Sequence, residues 1–217
     1  MKDFSKPVSL EFEILSFPNG SMIPGEFTLC IQSEEEHVAF GGNKNPHLEW
    51  ANAPDGTKSF AILMIDPDAP SSAEDVNQEG KSVSADLPRV DFYHWVLVDI
   101  PPDRTELPEG LDSSGVTPGG KEIGPTDYGV RGQNDFTDWF AGNEEMEGVY
   151  GGYDGPCAPW NDELLHHYYF RLYALDVPSL GLSGAFGGDT VIEAMEGHIL
   201  DAAEWMGTHS LNPDITG

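Results

Sequence analysis

Three stretches of this chain set titratable side chains where apolar runs end. Asp66-Pro67-Asp68-Ala69-Pro70 follows the run Ser59–Ile65. The prolines fix φ on either side of Asp68, so two carboxylates sit on a stiff turn. Tyr93-His94-Trp95 lies inside the run Asp91–Ile100, where strand alternation puts His94 on the face of Val96 and Val98. Gly155-Pro156-Cys157-Ala158-Pro159 comes shortly before His166-His167-Tyr168-Tyr169-Phe170-Arg171. Alternation there separates His166, Tyr168 and Phe170 from His167, Tyr169 and Arg171. Only one histidine can face a given pocket, and the aromatic series beside His166 selects it.

Each residue type has a plain structural use and a chemical one. Asp66 and Asp68 can serve as Asx-turn acceptors, and a strand histidine is commonly a satisfied core residue. Together, Asp66, Asp68, His94 and His166 are a donor set that suits a transition metal. No HxH or HxxxH spacing supports one, so no metal is expected. Cys157 beside His166 has the types of a thiol nucleophile and its base. Prolines flank it, and no helix start follows to lower its pKa, so that role is not assigned. GxSxG, P-loop and GxGxxG patterns are absent, and no cofactor is called for.

The elements that position these groups read as strands. The chain has 217 residues, with Gly 25 and Pro 17 and 11% aromatics. That composition fits one loop-rich domain with many turns and a real core. Leu10–Ser16 alternates as a half-buried strand, Phe27–Gln32 is a short strand, and Asn43–Trp50 with Pro46 is a loop and edge strand. Ser59–Ile65, Asp91–Ile100 and Tyr168–Asp176 are central strands. The first is expected to stop at Asp66-Pro67 and the second at Pro101-Pro102. One helix is expected near the end. Asp189-Thr190 can cap it, Thr190 and Glu193 have capping-box spacing, and Ile192, Met195, Ile199, Ala202 and Met206 form its apolar stripe. Gly207 would end it.

Charge narrows the partners. Lys plus Arg is 10, Asp plus Glu is 38, and the net charge is −28. A basic nucleic-acid surface is excluded, and anionic membrane surfaces are disfavoured. The acids are dispersed rather than gathered in a tail, which fits a surface adapted to molar salt. No run approaches the roughly 20 apolar residues of a membrane span. The start MKDFSKPVSLEF has no apolar signal core, so a cytoplasmic home is expected. Cys30 and Cys157 are then expected to be reduced thiols.

In sequence order, Ser16-Phe17…Gly20…Ile23-Pro24…Phe27-Thr28 opens a series. Asn45-Pro46-His47-Leu48-Glu49-Trp50, Gly56-Thr57-Lys58-Ser59-Phe60-Ala61, the DPDAP turn, His94-Trp95-Val96-Leu97 with Ile100-Pro101, Gly132…Asn134-Asp135-Phe136, Tyr150-Gly151-Gly152, PCAP and HHYYFRLYALD continue it. Ala194-Met195…Gly197-His198-Ile199-Leu200 completes it as a C-terminal helix. The series resembles the phosphatidylethanolamine-binding protein family in its prokaryotic Raf-kinase-inhibitor-like branch.

The resemblance implies a mainly β fold: an antiparallel Greek-key β-sandwich with short peripheral helices and a C-terminal helix. It covers residues 1–217 as one domain, with acidic loop insertions at about 71–89 and 137–148. It also implies a small pocket for anions such as phosphate or phospholipid head groups, lined by Asp66, Asp68, His94, His166 and Tyr168 with backbone around Cys157 and Pro159. Two departures stand out: PCAP where the family has PCPP, and Trp160–Leu165 in place of a shorter Gly-containing link.

A pocket of this kind has a physical sense. A carboxylate beside an imidazole raises the histidine pKa and favours imidazolium, a better donor toward phosphate. Backbone N–H groups add donors without charge, and a second carboxylate can meet an ammonium. The expected function is non-enzymatic binding of a small anionic or zwitterionic ligand, phosphate or phosphoethanolamine-like. Regulation of a kinase or protease belongs to particular branches of the family. A hydrolase using Asp66, His94 and His166, and an interaction protein with a vestigial pocket, are the rivals. The protein partner is not specified, and a homodimer is left open.

Overall fold

The computed structural model describes residues 9–215. Strands follow the apolar runs: β1 (Glu11–Ile14), β2 (Cys30–Ser33), β3 (His37–Phe40), β4 (Leu48–Ala51), β5 (Ser59–Pro70), β6 (Arg89–Ile100), β7 (Glu106–Leu107), β8 (Gly124–Thr126), β9 (Gly129–Arg131), β10 (His166–Leu175) and β11 (Ile199–His209). Two short helices, α1 (Phe136–Trp139) and α2 (Gly188–Met195), are added. The fold is mainly β and all strand pairs are antiparallel.

A six-stranded sheet runs β11-β10-β5-β6-β9-β8 and a three-stranded sheet runs β1-β4-β7. Phe12 and Ile14 of β1 and Trp50 of β4 pack on Ile62, Trp95 and Phe170 of the large sheet, forming the main core between the two sheets. The other face of the large sheet buries Leu63, Val96 and Val98 under Val191 and Met195 of α2.

Three expectations about elements are corrected. β4 is the middle strand of its sheet rather than an edge. β5 does not stop at Asp66-Pro67 but runs to Pro70. A register shift between Asp66 and Ala69 absorbs the prolines as a bulge. The C-terminal helix is only its first half. It starts from Gly187 without a side-chain cap, and Asp189 accepts instead from the Tyr93 hydroxyl at 2.9 Å. After Met195 the chain turns at Gly197, whose φ of +79° a side chain rarely adopts. It then becomes β11, paired with β10 from Leu175↔Ile199 to His166↔His209. The period-3.6 stripe gives way to a period-2 one in which Ala203 and Trp205 pack on the core. Gly207, read as a helix stop, is a close approach. A Cβ there would lie 2.5 Å from Ile23 Cγ1.

The thiol expectation is also overturned: Cys30 and Cys157 form a disulfide, with Cα atoms 4.8 Å apart. Leu29 and Cys30 both donate their N–H to the Pro156 carbonyl, at 3.0 and 3.1 Å, which brings β2 against the PCAP turn. The bridge spans a sequence separation of 127. A loop of that order stabilises by roughly 4–5 kcal/mol in the chain-entropy model. We expect Cys30→Ser combined with Cys157→Ser to lose about 2–5 kcal/mol in urea unfolding. A loss below about 1 kcal/mol would show that the hydrogen bonds to Pro156 suffice.

Candidate ligand pocket

The central strands of the large sheet deliver the polar groups to one end. β10 keeps its alternation: His166, Tyr168 and Phe170 are buried while His167, Tyr169 and Arg171 are half-exposed. β6 does not keep it. The pairing passes from Met64↔Trp95 to Ile65↔Tyr93, so His94 is the extra residue of a bulge. Tyr93 thereby joins Val96 and Val98 in the core under α2. His94 is re-aimed toward Phe92, Phe136 and Tyr168, with ring centroids at 4.8, 5.2 and 5.2 Å. Its expected place on the Val96 face is therefore corrected by a one-residue parity change.

A cavity of about 80 Å³ lies at this end. Asp66, His94, His166 and Tyr168 line it, as do Cys157, Ala158 and Pro159 of the PCAP turn. The remaining wall is apolar, with Phe92 and Phe136 inside and Val90 and Trp139 at the exposed rim. Asp68 does not line it. The bulge turns its carboxylate outward, where it accepts from His167 Nδ1 at 2.8 Å and from the His167 N–H at 2.9 Å. Asp66 stays in the turn role as well, its Oδ1 accepting from the Asp68 N–H at 2.8 Å.

The two pocket histidines are in opposite states. His166 Nδ1 lies 2.7 Å from Asp66 Oδ2, and its Nε2 lies 3.1 Å from Asp162 Oδ2. Burial pulls its pKa down, but hydrogen bonds to Asp162 and Asp66 outweigh this and raise it to about 9. His166 is thus an imidazolium at neutral pH. His94 is fully buried and its pKa is lowered by burial, only partly opposed by the Asp66 charge. Its Nδ1 donates to the Asp154 carbonyl at 3.0 Å. The proton of this neutral ring therefore sits on Nδ1, and Nε2 is left as an acceptor.

Three donors make no well-formed hydrogen bond to the described residues. The Tyr168 hydroxyl is buried and makes no well-formed hydrogen bond; burial first, and then the charge and proximity of the Asp66 carboxylate, hold its pKa well above the usual phenol range. The backbone N–H groups of Cys157 and Ala158 also make no hydrogen bond to described residues.

Asp162, Arg89, Asp154, Phe92, Phe136 and the rim residues were not singled out from sequence. Asp162 lies in the segment Trp160–Leu165 that departs from the family pattern, the one signal that pointed near it. Asp154 accepts from Asn43 at 2.8 Å, Asn134 at 2.9 Å and Lys121 at 2.7 Å, and so fixes the backbone on which His94 rests.

The chain thus combines antiparallel sheets with a small pocket at one end, lined by buried Asp, His and Tyr side chains. The family model described as phosphatidylethanolamine-binding protein matches residues 13–210, and the chain belongs to that family. A UPF0098 protein of Methanothermobacter thermautotrophicus is 34% identical over 169 residues, 78% of this chain and 84% of that one. A UPF0098 protein of Aquifex aeolicus is 33% identical over 194 residues, 89% of this chain and 84% of its own length. Among solved structures, a homologue of the family from Chlamydia trachomatis superposes with a TM-score of 0.63 at 25% identity, covering 94% of this chain and 98% of that one. Escherichia coli YbcL, described as a member of the mammalian family, gives 0.65 at 24%, covering 93% and 98%. No helix among the described residues is long and apolar enough to cross a membrane.

Proposed function

We propose that the pocket binds the head of a small phosphate ester or a phosphoethanolamine-like zwitterion, without converting it. The observation that carries this reading is the Tyr168 hydroxyl, buried at the cavity beside Asp66 with no well-formed hydrogen bond. An unmet buried hydroxyl costs about 1–3 kcal/mol, a cost that a ligand oxygen removes. The Cys157 and Ala158 N–H groups supply further donors to the same oxygens. His94 Nε2 asks for the converse, a ligand group that brings a proton, such as P–OH or ammonium.

Binding rather than catalysis fits the same groups. Cys157 is tied in the disulfide, and both His166 nitrogens are engaged by carboxylates. The Greek-key connectivity of a sandwich belongs to this reading; the Cys30–Cys157 bridge speaks against the cytoplasmic home expected above, since disulfides persist in oxidising compartments. The bridge is buried on its Cys30 side.

Calorimetric titration with phosphoethanolamine tests it. Binding to neutral His94 uses a proton that the phosphomonoester loses above a second pKa of about 6. Affinity should therefore fall at least tenfold from pH 5.5 to pH 8, and it should persist in molar KCl. His94→Ala should weaken binding by about 1.5–3 kcal/mol and flatten the pH profile. Tyr168→Phe should weaken binding while leaving the unliganded protein as stable or more so. Affinity indifferent to pH and to both substitutions would overturn the reading.

A further inference from the structure

The far side of His166 is closed by an acid from outside the strands. Asp162 Oδ2 accepts from His166 Nε2, and Arg89 grips Asp162 through Nη1 at 2.5 Å and Nη2 at 3.0 Å. The Leu164 N–H adds a third bond to Asp162 Oδ1 at 3.0 Å. Asp162 has no exposed surface.

Its backbone is pinned as well. Neighbouring Asn161 donates to the carbonyls of Asp75 and Lys81, at 2.8 and 3.2 Å, and accepts from the Asn77 N–H. Val83 and Glu163 exchange further backbone bonds with this segment. The polar loop between β5 and β6 thus docks on Trp160–Glu163 and holds Asp162 in place, so it cannot swing aside for a ligand.

An imidazolium has two N–H donors, and both are used inside the protein. The charges at the cavity floor are Arg89 and His166, positive, against Asp66 and Asp162, negative. They cancel. The other groups around His166 add little: His94 is neutral, Tyr168 is un-ionised, and Asp68 is paired with His167. His209, buried behind Tyr168, is held neutral by burial and by repulsion from His166.

We propose that Asp162, held by Arg89, is a specificity-determining residue: it withholds the His166 Nε2–H from the ligand and so makes the pocket favour singly charged phosphate heads over doubly charged ones. This rests on the phosphate-binding reading. A dianion entering a site without net positive charge loses hydration with no countercharge to replace it. A monoanion loses less, and neutral donors such as Tyr168 and the Cys157 and Ala158 N–H groups can satisfy it.

The probes are methyl phosphate, dianionic at pH 8, and dimethyl phosphate, a monoanion at the same pH, titrated by calorimetry and by 15N NMR of the histidines. Wild type should prefer dimethyl phosphate. Asp162→Ala frees His166 and Arg89, and should raise methyl phosphate affinity at least tenfold with a smaller change for the diester. Asp162→Glu should keep the wild-type order. In wild type, His166 should read as an imidazolium up to about pH 9, and ligand should shift His94 but not His166 Nε2.

A ligand-induced shift at His166 Nε2, or equal losses for both esters in Asp162→Ala, would overturn the proposal. Should Asp162→Ala not fold, the wild-type ester preference and the His166 signals decide alone. Esters that bind without charge preference sink this proposal only. Esters that shift no pocket resonance sink the phosphate reading and this proposal with it.

Discussion

Arg131→Met should cost about 3–5 kcal/mol of stability, a large share of the roughly 5–15 kcal/mol that holds a domain together. The reason is what the substitution leaves behind. Asp112 is 3% exposed. It accepts from Arg131 Nε at 2.6 Å, the Tyr128 hydroxyl at 2.7 Å and the Tyr153 N–H at 2.7 Å. Arg131 also reaches the Asp112 carbonyl and the Tyr128 hydroxyl, each at 2.7 Å. Remove the guanidinium, and a buried carboxylate keeps neutral donors but loses its only countercharge among the described residues. The chain is built around this carboxylate. Gly152 passes so close at φ +72° that a Cβ would collide with Asp112 Oδ2. Urea unfolding of Arg131→Met, of Asp112→Asn and of the double variant separates the causes. The double variant should recover most of the loss, because an amide beside a methionine carries no charge to leave unpaired. A loss under about 1 kcal/mol for Arg131→Met would mean that the tyrosine and backbone donors suffice.

How much of this was legible in the sequence depends on the range of the interaction. β10 was legible because its pairing partners on both sides leave the period-2 pattern intact, so His166 and Tyr168 were assigned to one face and His167 to the other. His94 was assigned to the pocket, but by a parity that the bulge reverses; alternation within one strand carries no trace of a register shift against its neighbour. The segment after Met195 has two valid periodicities, and pairing with β10 selects the strand. Cys30 and Cys157 were treated as separate thiols, since nothing local brings residues 127 apart together. Asp162 and Arg89 escaped notice for the same reason. A carboxylate four residues before a histidine means little on a loop until a distant arginine and a docked polar loop fix its direction. Family resemblance supplied the gathering of strands at one end. It supplied the Asp66 carboxylate beside His166, but neither the neutral state of the buried His94 nor the second carboxylate, Asp162, which lies where this chain departs from the family.

The melting temperature should rise by about 6–12 °C between dilute buffer and 2 M KCl. The net charge of −28 is softened at the surface by few basic residues, because Arg89, Lys121 and Arg131 pair with the buried carboxylates of Asp162, Asp154 and Asp112, while Lys44, Lys81 and Arg171 meet exposed acids. The surface keeps like charges in contact. On the three-stranded sheet Glu13 faces Glu49 and Glu49 faces Glu106 in register, and among the described residues only His47 stands against this row, 3.6 Å from Glu49 and 3.0 Å from Glu106. Directly opposed like charges on strands cost about 0.2–1 kcal/mol each. These two contacts amount to at most about 2 kcal/mol; with the diffuse repulsion of the rest of the acidic surface, a total of about 3 kcal/mol corresponds to the stated shift for a chain of this size. Screening acts early: the Debye length is already about 10 Å at 0.1 M and about 3 Å at 1 M. Over half of the gain should therefore appear below about 0.5 M, whereas stabilisation by solute exclusion grows steadily with concentration. Glu13→Gln, Glu49→Gln and Glu106→Gln combined should raise the low-salt melting temperature and flatten its salt dependence. A melting temperature that ignores KCl, or a triple variant with the wild-type slope, would remove self-repulsion as the cause and leave the acidity without a role in stability.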